Sequence, residues 1–287
     1  MKVDLVMWTK NGSGTLQQVL ERINIVIPRE NVNQRFIVDD KSTDNTPFIA
    51  TSNGWTVYAN RGTGISDGAN TALDLVTTDY FCSFEQDVLL SSDWWNKIPK
   101  LLSGNVCVAS GIRLTSKPQF LHRLQLYSAA KYKLKKTDSS GFGFGKTLDN
   151  TIYNASFLRR LGGFPKLRTS LSVDTALAYK MERMGAVWVV DYSVVSDHLR
   201  RNFIQELRKD YWYGTCNKAI REALGNKADS ILQIFIRTLF SPIRAWQVAY
   251  KTKSLPIIAY YPLQRLVFFL GLIRSYFEVT NPSVNAC

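Results

Sequence analysis

The chain has 287 residues, enough for one or two domains, and a composition 45% apolar and 21% charged excludes a wholly disordered chain. Its 17 glycines and 9 prolines follow no strict period, which excludes collagen-like and coiled-coil classes, and its four scattered cysteines form no CxxC pair, which argues against a zinc ribbon or a disulfide scaffold. The net charge of +13 is uneven: residues 1–112 carry −3, residues 113–150 carry +6, residues 151–199 carry +2 and residues 200–287 carry +8, a distribution that points to an anionic partner.

The opening MKVDLVMWTK has an acid at Asp4 and no long apolar run, so it is read as no secretory signal, and a cytosol-facing protein is expected. Val3–Trp8 reads as a buried strand. Leu16, Val19, Leu20 and Ile23 then share one helix face, with Ser13 or Thr15 as cap. Phe36–Val38 is a second strand, running into the turn-rich VDDKSTDNT (Val38–Thr46). Trp55–Ala59 is a third strand, and Ala69, Ala72, Leu73 and Val76 mark a further helix face. Tyr80–Phe84 is a fourth strand, ending at Glu85-Gln86-Asp87; Trp94 to Leu102 suits a helix and Val106–Ala109 a strand. This alternation predicts βαβ units in an α/β fold with a mostly parallel sheet. In such sheets ligands bind beyond the carboxyl ends of the strands, which places Asp39-Asp40 and Glu85/Asp87 on one rim.

Residues 113–150, basic and aromatic and then glycine-rich at SSGFGFGK, read as a mobile segment near the site with at most one helix. Asn154–Gly163 and Asp174–Gly185 predict two helices, and Trp188–Val190 a strand leading to Asp197-His198. From Asn202 the pattern is helical, basic and aromatic, punctuated by Pro242, Pro256 and Pro262. The longest unbroken apolar run there, Leu266–Ile273, falls short of the roughly 20 residues a membrane span needs. Helices lying on an anionic bilayer surface are therefore expected rather than a span, with a packed helical subdomain or a dimer interface as the other readings.

Several motifs, in order over residues 3–200, resemble the family 2 glycosyltransferases, which have the GT-A fold. They are VMWTKNG (Val6–Gly12), VDDKSTDNT with Lys41 where Gly is usual, NRGTGISDGANTALDLVTTDYF (Asn60–Phe81), FEQD (Phe84–Asp87) at the place of the D-x-D motif, NASFLRRLGGF (Asn154–Phe164) and VDTALAYKMERMG (Val173–Gly185), followed by His198. The resemblance implies a GT-A domain over 1–200, and the basic, aromatic helical pattern beyond it points to a helical membrane-associating region over 201–287. The resemblance also implies a nucleotide-sugar pocket from Thr9, Asn11, Asp39, Asp40, Asn60, Asn70, Glu85 and Gln86, a metal site at Asp87 and His198, and a general base at Asp174. Hard carboxylate oxygens suit Mn²⁺ or Mg²⁺, with Asp87 as direct ligand and the longer Glu85 reaching the ribose or a metal-bound water. Val173 stands where the family's pair has Glu, while Asp174 keeps the position of the usual base.

The expected activity is inverting transfer from a nucleoside diphosphate sugar to a hydroxyl of a lipid-linked glycan, by a peripheral or monotopic enzyme on the cytoplasmic side of a membrane. A polyprenyl-phosphate (dolichyl) glycosyl synthase is the alternative within the fold. A basic RNA-binding protein or an inactive membrane scaffold would leave the acidic strand ends unexplained, so no nucleic acid partner is expected.

Overall fold

The computed structural model describes residues 1–134, 145–166, 173–199, 202–218, 221 and 229–277. In chain order, β1 (Val3–Thr9), α1 (Leu16–Val26), β2 (Val32–Asp39), α2 (Thr46–Ser52), β3 (Thr56–Ala59), α3 (Gly64–Leu75) and β4 (Tyr80–Phe84) make the first half of the sheet. There follow β5 (Val88–Leu89), α4 (Trp94–Lys97), β6 (Val106–Leu114), α5 (Gln119–Leu134), β7 (Thr151–Asn154), α6 (Ala155–Arg160), α7 (Val173–Arg183) and β8 (Val187–His198). The C-terminal part is helical: α8 (Phe203–Thr215), α9 (Ile231–Leu239), α10 (Ser241–Thr252) and α11 (Pro256–Phe277).

One eight-stranded sheet runs in the order β3-β2-β1-β4-β7-β6-β8-β5. β3, β2, β1 and β4 are mutually parallel, and β6 is parallel to β8; β7 runs antiparallel between β4 and β6, and β5 antiparallel to β8. The interior strand β1 is buried on both faces, Val3–Met7 being at most 1% exposed with Asp4 as its one charged member, while the edge strand β3 is largely exposed. The α/β fold expected from sequence is present, with the GT-A arrangement, and the antiparallel pairings of β7 and β5 make the sheet a mixed one. Neither β7 nor β5 is in the sequence reading, and β2 and β8 are longer than expected.

The register fixes the rim. Thr9 at the end of β1 lies opposite Asp39, and Asp39 lies opposite Ala59. Met7 lies opposite Phe84, so the chain after β4 leaves the sheet beside the chain after β1. Beneath this rim a core of Leu5, Met7, Leu16, Leu20, Ile23, Trp55, Cys82 and Trp94 is closed to solvent. At about 25 cal/mol per Å² of apolar surface, side chains of this size stabilise the fold by roughly 1.5–3 kcal/mol each. That rigidity is what holds the loop carboxylates in place.

The chain divides into two compact units, the first holding Met1–Leu114, Ala129–Lys166 and Val173–Leu199. The second joins Thr115–Ser128 to the C-terminal helices. Its own core is Leu121, Leu124, Val248, Ala249, Ile257 and Tyr260. Within it α8 crosses α11 at two glycines: a Cβ on Gly214 would lie 2.2 Å from the Phe268 carbonyl oxygen, and one on Gly271 2.2 Å from that of Tyr211. Backbone cannot yield as a side-chain end can. Gly214→Ala is therefore expected to destabilise the second unit by about 1–3 kcal/mol, read as a lowered denaturant midpoint, while leaving the first unit's transition in place.

The helix α11 corrects one sequence expectation. It runs unbroken through Pro262 for 22 residues and is apolar rather than basic, long and apolar enough by length and composition to cross a membrane. The prolines that suggested a break sit at its first position and inside it.

Candidate functional site

The rim begins with β1 and β2. Asp40 donates its N–H to the Thr9 carbonyl at 2.8 Å, and Asn60 donates its own to the Asp39 carbonyl at 2.8 Å, so both strand ends continue into paired loops. Asp40 is buried, and its carboxylate accepts from the Gly64 N–H at 3.1 Å and the Asn60 side-chain amide at 3.3 Å. It thus meets the first residue of α3 rather than capping α2, and Lys10 Nζ stands 3.5 Å from its Oδ2. The Asp39 carboxylate accepts from Thr9 Oγ1 at 3.4 Å and from the Ser42 N–H at 2.9 Å.

Asn11 has a positive φ of 50° and Lys41 one of 59°. Asn is among the residues that tolerate this region, while a lysine there carries strain. The Asn11 side chain accepts from the Thr43 N–H at 2.8 Å, and its own N–H donates to Ser42 Oγ at 2.9 Å, locking the turn that holds Lys41. Gln86 plays a similar part across the rim. Its amide accepts from the Lys10 N–H at 3.1 Å and donates to the Lys10 carbonyl at 3.0 Å, as a neighbouring strand would. A Cβ on Gly12 would lie 2.5 Å from Gln86 Oε1, so that close approach needs glycine. Asn70 donates to the Ser66 and Phe164 carbonyls at 2.8 and 2.9 Å and accepts from the Phe164 N–H at 2.9 Å. Asn11, Gln86 and Asn70 therefore spend their side chains on backbone and serve as clamps in this structure.

The second half of the site is built by β8. Val88 pairs with His198 and Leu89 with Asp197, and the Leu199 N–H donates to the Asp87 carbonyl at 2.8 Å. This brings His198 Nε2 to 3.2 Å from Asp87 Oδ2, although 111 residues separate them. One ligand atom each from Glu85, Asp87 and His198 lie within 4.8 Å of one another. Two carboxylate oxygens and an imidazole nitrogen at this spacing suit a hard to borderline divalent cation such as Mn²⁺ or Mg²⁺.

Arg113 and Asp149 belong to the same constellation and were not singled out from sequence. The Arg113 guanidinium forms ion pairs with Glu85 and, at 2.9 Å, with Asp149 Oδ1. Buried polar groups fix the loop that carries Asp149. Tyr153 OH donates to the Leu148 carbonyl at 2.8 Å and Thr151 Oγ1 to the Asp149 carbonyl at 2.8 Å. Asn150, with φ 58°, accepts at its carbonyl from Trp94 Nε1 at 3.1 Å and at its side chain from Ser196 Oγ at 3.2 Å. Residues 145–150 are thus a pinned turn, which corrects the reading of that stretch as mobile; residues 135–144 lie outside the described residues. Gln119–Leu134 is the one helix among the described residues of 113–150, and Gly141 and Gly143 lie outside them. Gly145 needs its positive φ of 89°, for a Cβ there would lie 2.7 Å from Ile112.

Asp174 sits in the first turn of α7, where its carboxylate accepts from the Thr175 N–H at 2.7 Å. Burial is the main influence and pushes its carboxyl above the ordinary carboxylate range. The Thr175 N–H and the Arg113 guanidinium pull it back, and the charge on Asp149 adds to the rise. A carboxylate of raised basicity can take a proton from a weakly acidic hydroxyl.

The description "Glycosyl transferase family 2" matches residues 4–162, more than half of the chain. Among curated proteins, the low-salt glycan biosynthesis hexosyltransferase Agl6 of Haloferax volcanii is 31% identical over 116 residues. That match covers 39% of this chain and only 27% of the relative, about a quarter of its length. Among solved structures, the mannosyltransferase PcManGT of Pyrobaculum calidifontis, in complex with GDP-Man and Mn²⁺, superposes with a TM-score of 0.67 at 19% identity, over 97% of this chain and 88% of that one. Glucosyl-3-phosphoglycerate synthase of Mycobacterium tuberculosis, with Mn²⁺, UDP and phosphoglyceric acid, gives a TM-score of 0.56 at 15% identity, over 78% of each chain. At these identities the likeness is one of fold.

Proposed function

Since this chain belongs to glycosyl transferase family 2, we propose that it moves a hexose from a nucleoside diphosphate sugar to a hydroxyl of a lipid-linked glycan, with inversion at the anomeric carbon, on the cytosolic face of a membrane. One observation carries the reading. A half-buried Asp174 whose carboxyl is pushed up lies within electrostatic reach of Arg113 and Asp149, and Arg113 pairs with the Glu85 that adjoins Asp87 and His198. The named ligands of the related structures, GDP-Man or UDP with Mn²⁺, fit this donor class.

Asp87 and His198, with Glu85 as third donor, would hold a Mn²⁺ or Mg²⁺ ion, whose chemistry is to offset negative charge on the donor's diphosphate. The pairing of Glu85 with Arg113 weakens its claim as a direct ligand and leaves Asp87 as the principal one. Asp39 and Asp40, held at the end of β2 beside the end of β1, border the base and ribose, with Thr9 and Asn60 as their supports. Asp174 accepts the acceptor's hydroxyl proton as the oxygen attacks from the side opposite the leaving diphosphate. Removal of that proton is what a neutral hydroxyl needs and a phosphate acceptor does not, and this favours a hydroxyl acceptor over a polyprenyl phosphate.

The membrane part of the reading is supported by the second unit. Between Ser230 and Phe277 the chain has six basic residues and no Asp or Glu. Gln264, midway along α11, donates to Asp210 Oδ2 at 2.9 Å, and burying that pair with Arg265 at a bilayer centre would be costly. A surface position for α11 costs less than a span.

The test is transfer itself. The full chain is incubated with Mn²⁺, a panel of α-linked nucleoside diphosphate hexoses and lipid-linked acceptors, and the product is followed by NMR. A β-linked product on a sugar hydroxyl is expected. Transfer solely to polyprenyl phosphate, or retention of the α configuration, would overturn the acceptor or the mechanism respectively.

A further inference from the structure

The C-terminal helices carry an exposed apolar stripe. Leu232, Ile236, Leu239, Ile243, Trp246 and Tyr250 recur at alternating four- and three-residue steps, and each is between 44% and 86% exposed. The repeat continues from α9 into α10, because the Phe240 N–H donates to the Ile236 carbonyl at 3.0 Å and the Arg244 N–H to the Phe240 carbonyl at 3.2 Å. Helical periodicity puts the stripe opposite the packed face of the same helices, where Ile234, Ala245, Val248 and Ala249 are buried. Arg237, Arg244 and Lys251 recur every seven residues along one border of the stripe.

We infer that this stripe is the face by which the protein enters the interfacial layer of an anionic bilayer. The inference rests on the membrane reading above and adds the docking face and its orientation. An unpartnered apolar stripe would suit a second protein copy as well as lipid, and charge decides between them. From Asp229 to Phe277 the chain has six basic residues against one acid, Asp229, which pairs with Arg237; the surplus repels its own copy in an isologous pair, but is drawn to anionic head groups. Trp246 and Tyr250 have the amphipathic rings that settle at head-group level, and Arg244 and Lys251 would lie against the phosphates, while Arg237 pairs with Asp229. Leu239 and Ile243 would then reach into the acyl boundary, with α9 and α10 parallel to the membrane plane.

The experiment uses the full chain with vesicles of phosphatidylcholine alone or mixed with phosphatidylglycerol. Binding to the anionic vesicles that weakens with salt is expected, with at least tenfold loss of partition in a Leu239→Glu/Ile243→Glu double variant. Both positions are solvent-exposed, and unchanged circular dichroism and donor turnover would show that the variant folds. Brominated phosphatidylcholine in the acidic vesicles should quench tryptophan fluorescence, and Trp246→Phe should remove most of that quenching although six other tryptophans remain. If the wild-type chain ignores both vesicles, the membrane reading fails and this inference with it. If it binds but the double variant and Trp246→Phe behave as wild type, the stripe is not the docking face and the membrane reading stands. A double variant that turns a dimer into a monomer with lipid binding intact would assign the stripe to a second copy and overturn the inference.

Discussion

Replacing Asp174 by Asn is expected to lower transfer about 10²–10⁴-fold, the usual contribution of a positioned general base, while metal-dependent donor binding persists. The substitution keeps shape and hydrogen-bond capacity but cannot accept a proton. Its pH dependence is the sharper signature. Burial, the largest influence, raises the Asp174 carboxyl above its ordinary value, so the acidic limb of the wild-type rate profile should lie above the usual carboxylate range and vanish in the variant. Stability should move the other way. A carboxyl whose folded pKa is raised contributes stability fully below its unfolded value of about 4 and loses it as pH rises through the folded value. At neutral pH the ionised group is therefore a burden, and Asp174→Asn should melt no lower than wild type. A variant that is inactive and also poorly folded would assign Asp174 to the framework of α7 instead.

Removing the principal cation ligand has a comparable effect by another route. Asp87→Asn halves neither volume nor packing, yet takes a charge from the cluster with Glu85 and His198. Donor turnover at limiting Mn²⁺ should fall at least about 100-fold, beyond the 10–100-fold typical of groups that merely orient a ligand, and should recover in part at high Mn²⁺. Without the cation the donor's diphosphate meets Glu85 and Asp149 as like charges, offset mainly by Arg113. His198→Asn should give the smaller loss of about 10–100-fold if its imidazole chiefly positions Asp87.

The parallel half of the sheet was legible because β1, β2, β3 and β4 carry short apolar stretches between turn residues, and the carboxyl ends of β2 and β4 carry the acids. β7 was not. Its four residues, Thr151–Asn154, are no longer than chance, and only pairing with β4 and β6 makes them a strand. That missing strand also hid Arg113 and Asp149, which β6 and the turn before β7 bring together from opposite ends of a 36-residue separation. β8 looked shorter than it is because Asp191 and Ser193 interrupt its apolar pattern where its register with β6 shifts. Among the residues read as ligand-binding, sequence pattern cannot separate an amide that meets a nucleotide from one that clamps backbone. Asn11, Gln86 and Asn70 show the difference, since the partners that occupy them come from loops 32, 76 and 94 residues away. The proline-broken reading of the C-terminus failed for a related reason: Pro256 opens α11, where no N–H is needed, and Pro262 is absorbed within it.

The most direct test of a cation-held diphosphate at this rim is titration of the full chain with Mn²⁺, followed by electron paramagnetic resonance, with and without a nucleoside diphosphate. One tightly held ion is expected when the nucleotide is present, lost in Asp87→Asn and kept in Asp174→Asn. Nucleotide binding of equal strength in excess chelator, or Mn²⁺ binding that Asp87→Asn leaves untouched, would contradict it.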